Sequence, residues 1–404
     1  PHAPETSTRS LGDNPERIAR LARAIIKGMQ INGMAATAKH FPGSGLDDRD
    51  QHLCTALNPL RMDQWWALSG RMFQEAIEAG VWSIMIGHIG LPAWDAGAGQ
   101  HLQDAPPATL SYRTVTELLR QKMGFEGVII TDALDMAGVT AWGSFEELIP
   151  RVIEAGNDMI LFSDMQRDFP ILKRAVETGR LSQARIDASV RRILALKEKL
   201  GLPGTPAPRP ASPANVESFR QSAKNIAQKA VTLVKNQHNT LPFKLPPGAR
   251  VLSYHLRGDP AENVDAFDNL LRARGLQVTH YNETEHEGQL TKRTDFSDFD
   301  AILVNITLSP SWGTNRIRPA GNFMRDVWSL VTSHHPQLAV ISYGSPYAVY
   351  EMPHVPLVIN AYSPDANTQQ AVLRLLFGEL QAVGSSPVDL NAPYFFKGLE
   401  GLRR

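Results

Sequence analysis

The stretch Gly127–Met136, GVIITDALDM, holds an apolar run that ends in a carboxylate. A continuous run rich in β-branched residues is typical of a strand buried in a parallel sheet. Asp132 ends that run, so its carboxylate is placed to attack a substrate or to bind a cation. An aspartate before a helix can equally cap the free N–H groups of the first turn, and the pattern alone leaves both roles open. Asp135 is expected to face the helix and is the weaker functional candidate.

Three further apolar runs alternate with helical patterns over residues 1–200. They are MAATAKHF (34–41), WSIMIGHI (82–89) and DMILFS (158–163). Polar residues stand at the ends of these runs, and active sites of (β/α)8 barrels gather at that end of the strands. We therefore predict the C-terminal half of a TIM-type (β/α)8 barrel over residues 1–200. A closed barrel needs eight strands, so we expect the missing N-terminal half-barrel upstream of this sequence or on another chain.

A proline-rich segment, GLPGTPAPRPASPAN (201–215), follows and is predicted to be a stiff, extended linker. Beyond it, the runs RVLSYHL, QVTHYN, AILVNI, QLAVISYG and PLVINAYS alternate with helical patterns. This alternation predicts a doubly wound α/β sandwich domain over residues 216–404. No glycine-rich phosphate-binding motif follows its first run, which argues against nucleotide binding.

The loop at 38–52, AKHFPGSGLDDRDQH, gathers more ionisable side chains than a loop usually carries. Asp50 and His52 flank Gln51, and residues two apart in an extended loop point to the same side. A carboxylate beside an imidazole fixes its tautomer and raises its basicity, so this histidine can donate and recover a proton near neutral pH. On spacing alone, a solvated surface loop is the competing interpretation. A metal site built from His40, Asp50 and His52 is a weaker alternative, because no fixed ligand frame surrounds these residues.

Two other candidates come from the ends of the apolar runs. Lys39 and His40 could hold substrate hydroxyls. His88 is better explained as a packed core residue, because a lone histidine at a strand end is often only that.

Composition narrows the class of protein. The chain has 404 residues, with 41 Lys+Arg against 41 Asp+Glu, which argues against general binding of nucleic acid or of anionic membranes. Cys54 is the single cysteine, so an intramolecular disulfide is excluded. No adjacent base marks it as a nucleophile, and we expect an inert thiol. No stretch approaches the about 20 apolar residues that span a bilayer. The compartment stays open, with the bacterial cell envelope or secretion favoured over the cytoplasm.

Asp132 and the Asp50–His52 pair together suggest a chemistry. A carboxylate nucleophile with a nearby acid/base is the scheme of a retaining glycosidase, although the usual acid is a Glu or Asp. At these residues the sequence resembles glycoside hydrolase family 3, in its β-N-acetylglucosaminidase (NagZ-like) branch. The resemblance rests on TAKHFPGSGLDDRDQH, GVIITDALDM, TRSLGDNPE, SIMIGHIGLPA and AGNDMILF, and it continues into NIAQKAVTLVKN and AVISYGSPYAVYEMPHVPLVINAY.

The resemblance implies roles at matching positions. Asp132 would be the nucleophile that forms a glycosyl-enzyme, His52 the mobile acid/base and Asp50 its partner. The residues implied to hold hydroxyls of the terminal sugar are Arg9, Lys39 and His40. The implied substrate is an amino-sugar oligosaccharide of the muropeptide or chitin type with terminal β-linked GlcNAc, and no metal or organic cofactor is implied.

Some residues depart from the family pattern or lie outside the Asp50–His52 pair, which we call the dyad. Ser44 stands where the family usually has a second histidine, which is expected to alter loop packing or substrate contacts without removing the dyad. A substrate-binding aspartate that the family carries further upstream is absent from this sequence. The segment SPSWGTNRIR (Ser309–Arg318) is a candidate for substrate contacts from the second domain, with an ordinary surface loop as the alternative.

The function expected from the sequence is a retaining exo-β-N-acetylglucosaminidase. A β-GlcNAc phosphorylase is one alternative, because phosphate could replace water without meeting a second carboxylate. A non-catalytic carbohydrate-binding remnant is another, favoured by the missing half-barrel. The retained Asp132, Asp50 and His52 argue against that remnant.

Overall fold

The computed structural model describes residues 3, 6, 8–95, 104–202, 204, 213–257, 263–308 and 321–390. Its strands are β1 Thr37–Phe41, β2 Ala56–Leu57, β3 Ser83–Ile86, β4 Ile89–Gly90, β5 Val128–Ala133, β6 Met159–Leu161, β7 Thr232–Asn236, β8 Arg250–Arg257, β9 Gln277–Asn282, β10 Ala301–Thr307, β11 Leu338–Ser342 and β12 Leu357–Asn360. Its α-helices are α1 Pro15–Ile31, α2 Met62–Ala67, α3 Ser69–Glu78, α4 Pro92–Asp95, α5 Ala137–Thr140, α6 Phe145–Ala155, α7 Met165–Glu177, α8 Gln183–Lys199, α9 Pro213–Ala230, α10 Asp265–Ala273, α11 Met324–Val331, α12 Ala348–Glu351 and α13 Ala366–Leu376. Other helical segments are the 3-10 turns Ala108–Leu110 and Gln237–Asn239 and the π-helix Arg113–Lys122.

The four apolar runs of the first 200 residues form one parallel sheet. Its strand order is β1-β3-β5-β6, so consecutive major strands lie side by side. β3 and β5 pair in continuous register, for example Ile84 with Ile129, whereas the pairings of β1 with β3 and of β5 with β6 each contain a register shift. Because parallel strands run the same way, the ends of β1 and β5 meet at one edge of the sheet, where the candidate side chains lie.

Helices cover this sheet through a core that includes Phe41, Trp65 and Ile129. The stretch MDQWWALSGRMFQEAIEAG (62–80), whose pattern predicts one helix, forms two, α2 and α3, which divide at Leu68 (φ −118°, ψ −93°). At Gly70, an added Cβ would lie 2.5 Å from the Trp65 ring, so only glycine lets α3 pack against that ring. The stretch TVTELLRQKMG (114–124), whose pattern also predicts a helix, forms one with the wider π geometry that buries Val115, Leu118 and Leu119.

A second sheet has six strands in the order β7-β12-β11-β10-β8-β9. The five predicted strands are confirmed and run parallel, while β7 is antiparallel at one edge. Alternate residues face two separate cores. Leu303 and Ile341 pack on one face, and Ile302 and Val340 pack on the other. Helices on both faces of a parallel sheet are the mixed α/β architecture that the sequence predicts.

Between the two sheets, much of the predicted linker (201–215) lies outside the described residues. Helix α9 begins at Pro213, so the last three residues of that segment are helical rather than extended. Proline suits a first helical turn because its fixed φ is already helical. No helix in the described parts of the chain is long and apolar enough to cross a bilayer.

The end of the described chain returns to the first helix. The Asp13 N–H donates to Pro387 O at 3.2 Å, and Asp389 N–H donates to Asp13 Oδ2 at 2.8 Å. Arg17 also donates to Ser386 O at 3.4 Å. These bonds fasten residues 386–389 to the start of α1.

Candidate active site

Asp132 lies near the end of β5 and is half-buried. Its Oδ1 accepts the Ala133 N–H at 2.9 Å. The capping alternative is wrong, because α5 begins at Ala137 with Met136 at its N-cap. Asp135 is exposed. The Asp132 carboxylate is therefore held by its own strand and is free of any helix-capping role.

His40 contacts this carboxylate from the end of β1. Its Nε2 lies 3.3 Å from Asp132 Oδ2, and the residue is 7% exposed. Burial lowers the pKa of His40 to about 4. Asp132 opposes that shift, and the nearby charges of Lys39 and Arg9 add to it. Near neutral pH, Asp132 therefore faces an uncharged imidazole.

Asp50 and His52 form the predicted pair. Asp50 Oδ1 lies 2.6 Å from His52 Nδ1 and also accepts the His52 backbone N–H at 2.9 Å. Asp50 is 1% exposed, whereas the His52 side chain is 24% exposed. The hydrogen bond assigns the Nδ1 proton to the side facing Asp50, which leaves Nε2 as the outward nitrogen.

The prediction of an extended loop at Asp50–His52 is wrong. The loop is a turn rather than an extended segment, since the N–H groups of Leu53 and Cys54 both donate to Asp50 O. An aspartate that accepts the N–H two residues on makes an Asx turn. That turn brings carboxylate and imidazole together.

Gln51 is a site residue that the sequence did not indicate. Its Nε2 lies 3.4 Å from Asp132 Oδ2, while its Oε1 accepts the His88 backbone N–H at 2.8 Å. One buried amide thus joins the dyad loop, Asp132 and the end of β3. The sequence did not indicate a site role for Gln51, because in an extended loop its side chain would point away from those of Asp50 and His52.

The dyad loop is anchored to α5, the helix that follows Asp132. The N–H groups of Ala137 and Gly138 donate to His52 O and Gln51 O, each at 3.1 Å. Thr55 Oγ1 donates to Gly138 O at 2.8 Å. These bonds attach the backbone of the loop to the element that follows the Asp132 carboxylate, and the mobility that the resemblance implies for His52 stays a prediction.

His88 is a packed core residue, as expected. Its side chain is buried, with Nε2 2.8 Å from Ala133 O and Nδ1 2.8 Å from Thr109 Oγ1. Burial lowers the pKa of its imidazole. Asp164, at the end of β6, is likewise structural, because it caps α7 by accepting the Gln166 N–H at 3.0 Å.

Arg9 and Lys39 are exposed, and each is close enough to His40 to affect its pKa. Their roles toward a sugar stay predictions. Ser44 is half-buried beside Asp47, whose carboxylate accepts bonds from Arg49 and from Leu57 N–H. The segment 309–318 lies outside the described residues.

The alternative metal site does not assemble. His52 pairs with Asp50, whereas His40 contacts Asp132 instead of joining them. The described residues bring together the Asp132 carboxylate, which is contacted by neutral hydrogen-bonding groups, and the His52 imidazole, which is supported by the buried carboxylate of Asp50. Such a set can perform nucleophilic attack with proton transfer.

Comparisons with known proteins identify the family. The family described as glycosyl hydrolase family 3 N terminal domain matches residues 1–196. A β-N-acetylglucosaminidase/β-glucosidase of Cellulomonas fimi is 33% identical, over 96% of this chain and 71% of its own length. β-Hexosaminidase A of Pseudoalteromonas piscicida is 31% identical, over 60% of this chain and 43% of its own.

Solved structures share the architecture. The structure of the β-glucoside phosphorylase BglX superposes with a TM-score of 0.84 at 28% identity, covering 96% of this chain and 72% of that one. A family 3 β-N-acetylglucosaminidase from Paenibacillus sp. str. FPU-7 has a TM-score of 0.81 at 26% identity, covering 97% and 75%. With its Cellulomonas relative matched over most of both chains, this protein belongs to glycosyl hydrolase family 3 and is a glycoside hydrolase.

Proposed function

We propose that the protein is a retaining exo-β-N-acetylglucosaminidase in which His52 and Asp50 form the acid/base dyad. The observation that carries this proposal is the 2.6 Å pair on a loop whose backbone is bonded to α5, directly after Asp132. That connection sets the proton donor and the carboxylate in a fixed relation, which a two-step displacement requires.

In the first step, Asp132 attacks the anomeric carbon and forms a glycosyl ester. As the glycosidic C–O bond breaks, protonated His52 gives its Nε2 proton to the leaving oxygen. The buried Asp50 carboxylate stabilises the imidazolium beforehand, as the aspartate does in a Ser-His-Asp triad. Ala133 N–H and Gln51 orient Asp132 without supplying a cation that would weaken it as a nucleophile.

In the second step, His52 is neutral and accepts a proton from water as the water attacks the same carbon. The ester bond to Asp132 breaks, the sugar leaves with retained configuration, and His52 is again the acid. Each proton therefore returns to the same nitrogen, and no other base is needed.

The substrate class is supported by the names of the relatives, which include β-hexosaminidases and β-N-acetylglucosaminidases. A terminal β-linked GlcNAc on a muropeptide or chitin-type oligosaccharide fits these names. Arg9, Lys39 and His40 are the proposed contacts for its hydroxyls. The C. fimi enzyme is also named a β-glucosidase, so glucosides are the comparison substrates in any assay.

Phosphorolysis is a second candidate, because the chain is similar in structure to the β-glucoside phosphorylase BglX. An incoming phosphate dianion meets an imidazole in the second step rather than a second carboxylate, so charge repulsion is smaller. A non-catalytic sugar-binding role is a poorer explanation, because binding alone requires neither the buried dyad nor its anchoring beside Asp132.

The test is turnover of an aryl β-N-acetylglucosaminide by the protein. Asp132→Ala should lower kcat by roughly 10³-fold or more, because the nucleophile is gone. Asp135→Ala is the matched control, since it removes an exposed carboxylate three residues away and should leave kcat within about twofold. Equal activity of wild type and Asp132→Ala would contradict the proposal. Adding phosphate and assaying GlcNAc-1-phosphate separates phosphorolysis from hydrolysis.

We further propose that the four-stranded sheet is part of a TIM-type barrel and that the chain divides at 201–215 into two domains. β1 and β6 lie at the two edges of this sheet. Next to them in the chain, large apolar side chains are exposed, for example Phe162 and Met165 after β6 and Met34 before β1. Further barrel strands would cover such edges. Separate hydrophobic cores beneath the two sheets support the division.

A further inference from the structure

A second group of ionisable side chains lies in the six-stranded sheet, on elements that take no part in the Asp132 site. His255 is on β8, His280 on β9 and Asp265 in the first turn of α10. Within the part of the chain that the structure describes, these three are the group whose potential metal ligands all lie within 4.8 Å of one another. The group sits toward the C-terminal ends of parallel strands, where α/β sheets commonly bind ligands.

Asp268 orients both imidazoles. Its Oδ1 lies 3.1 Å from His255 Nε2, and its Oδ2 lies 2.7 Å from His280 Nδ1. Asp268 is buried and also accepts the Ser253 hydroxyl at 2.7 Å. A carboxylate that accepts these two N–H groups leaves lone pairs on His255 Nδ1 and His280 Nε2. Carboxylates behind metal-binding histidines fix the ring and tautomer in the same way.

Two acceptors in this group face each other without a hydrogen bond. His255 Nδ1 and Asp265 Oδ1 are both buried, both lack a hydrogen-bond partner, and lie 3.4 Å apart. A lone pair against a carboxylate oxygen is repulsive unless a positive charge lies between them. Two ligands at about 2.1 Å from a tetrahedral Zn²⁺ stand about 3.4 Å apart, which matches the separation seen here.

The surrounding charge also favours a cation. Three carboxylates and one guanidinium lie in this group, and their net charge is −2 when the imidazoles are neutral. They are those of Asp265, Asp268, Glu283 and Arg257. Arg257 approaches the other oxygen of Asp265, at 3.8 Å, and leaves Oδ1 to face His255. The side chains of Asp265 and His280 are 47% and 26% exposed, so an ion can enter from solvent.

We propose that His255, His280 and Asp265 bind one divalent transition-metal ion of the Zn²⁺ type, with Asp268 positioning both rings. Two imidazoles and a carboxylate suit Zn²⁺ or Co²⁺ rather than Ca²⁺ or Mg²⁺, which prefer all-oxygen sites. The weak 3.3 Å contact of His280 Nε2 with Asn282 is exchanged for the metal. The ion links the sheet edge to α10, so its expected effect is stability, and it is independent of the glycosidase proposal.

The test is zinc binding by the full, chelator-treated chain, measured by calorimetry and by thermal unfolding. Wild type should bind one equivalent of Zn²⁺ and show a raised Tm in its presence. Asp265→Asn should weaken binding at least about tenfold and abolish the Tm shift. Asp295→Asn, an exposed carboxylate of the same region, is the matched control and should bind as wild type does.

Two further variants make the result decisive. His280→Gln should lose binding as Asp265→Asn does, which covers a failure of either variant to fold. His52→Ala should retain one equivalent, because the dyad histidine is not a ligand here. Absence of binding in wild type, unchanged affinity in both ligand variants, or loss of binding in His52→Ala would each overturn the proposal.

Discussion

At the scale of single residues, Gln51 connects the parts of the site. Its amide nitrogen approaches Asp132 and its oxygen accepts the buried His88 N–H. Gln51→Glu keeps an acceptor for that N–H but sets a like charge against the nucleophile. We expect a folded protein whose kcat is lowered at least about tenfold, because like charges in a half-buried site cost more than 1 kcal/mol. Steady-state kinetics checks this, with the exposed Gln183→Glu as the control. An unchanged kcat in Gln51→Glu would contradict a role for Gln51 beside Asp132.

His40 gives the site a pH-dependent contribution to stability. Its pKa is about 4 in the folded protein, against an ordinary 6.5. Between these values only the unfolded chain binds the proton, so the free energy of unfolding falls as pH drops from 6.5 toward 4, by at most about 3 kcal/mol. Urea titrations at pH 7 and pH 5 should show a smaller loss for His40→Gln than for wild type. The exposed His354→Gln should follow wild type, and a parallel loss in His40→Gln would show that His40 does not carry this effect.

At the scale of elements, the contact between α5 and the dyad loop is the critical packing. A Cβ at Gly138 would lie 2.5 Å from Gln51 O and 2.9 Å from His88 Cβ, so Gly138→Ala must displace the loop. A shift near 1 Å of an acid/base can cost about 100-fold in rate, whereas overpacking costs about 1–3 kcal/mol in stability. Gly28→Ala is the control, because nothing lies within 4 Å of its added Cβ. Kinetics and urea unfolding of both variants test this, and a fully active Gly138→Ala would mean that the anchoring is not needed.

Elements whose position depends on one local sequence pattern could be predicted from the sequence. Buried parallel strands are continuous apolar runs, so β1, β3, β5 and β6 could be read directly. The separation of α2 from α3 could not, because Leu68, where the two helices divide, is an ordinary helix-forming residue. The half-exposed edge strand β7 carries no such run and was not singled out.

The residues of the candidate site also fall into those that the sequence predicts and those that it does not. Asp132, Asp50 and His52 were indicated by residue type and by resemblance. Gln51 and Gly138 were not, because their roles arise from contacts between segments that are distant in sequence. Even the Asp50–His52 pair was predicted from an extended loop, whereas an Asx turn makes it.

At the scale of the whole molecule, the two sheets have separate cores and the proline-rich segment 201–215 joins them. We expect a protease of broad specificity to cut the native chain first in this segment and to leave two protected pieces. Each piece should be roughly half of the chain, because compact cores resist cleavage, whereas segments that connect domains are the usual sites of proteolytic nicking. Mass spectrometry of a limited digest identifies the cut, and a first cut within either sheet would contradict the division.

The central claim is that His52, supported by Asp50, donates the proton to the leaving group. The direct test is a comparison of wild type and His52→Ala on aryl β-N-acetylglucosaminides whose phenols differ in acidity. We expect kcat/KM of His52→Ala to fall about 10²–10⁴-fold on poor leaving groups and far less on a dinitrophenyl glycoside, which needs little protonation. Equal losses on good and poor leaving groups would contradict it.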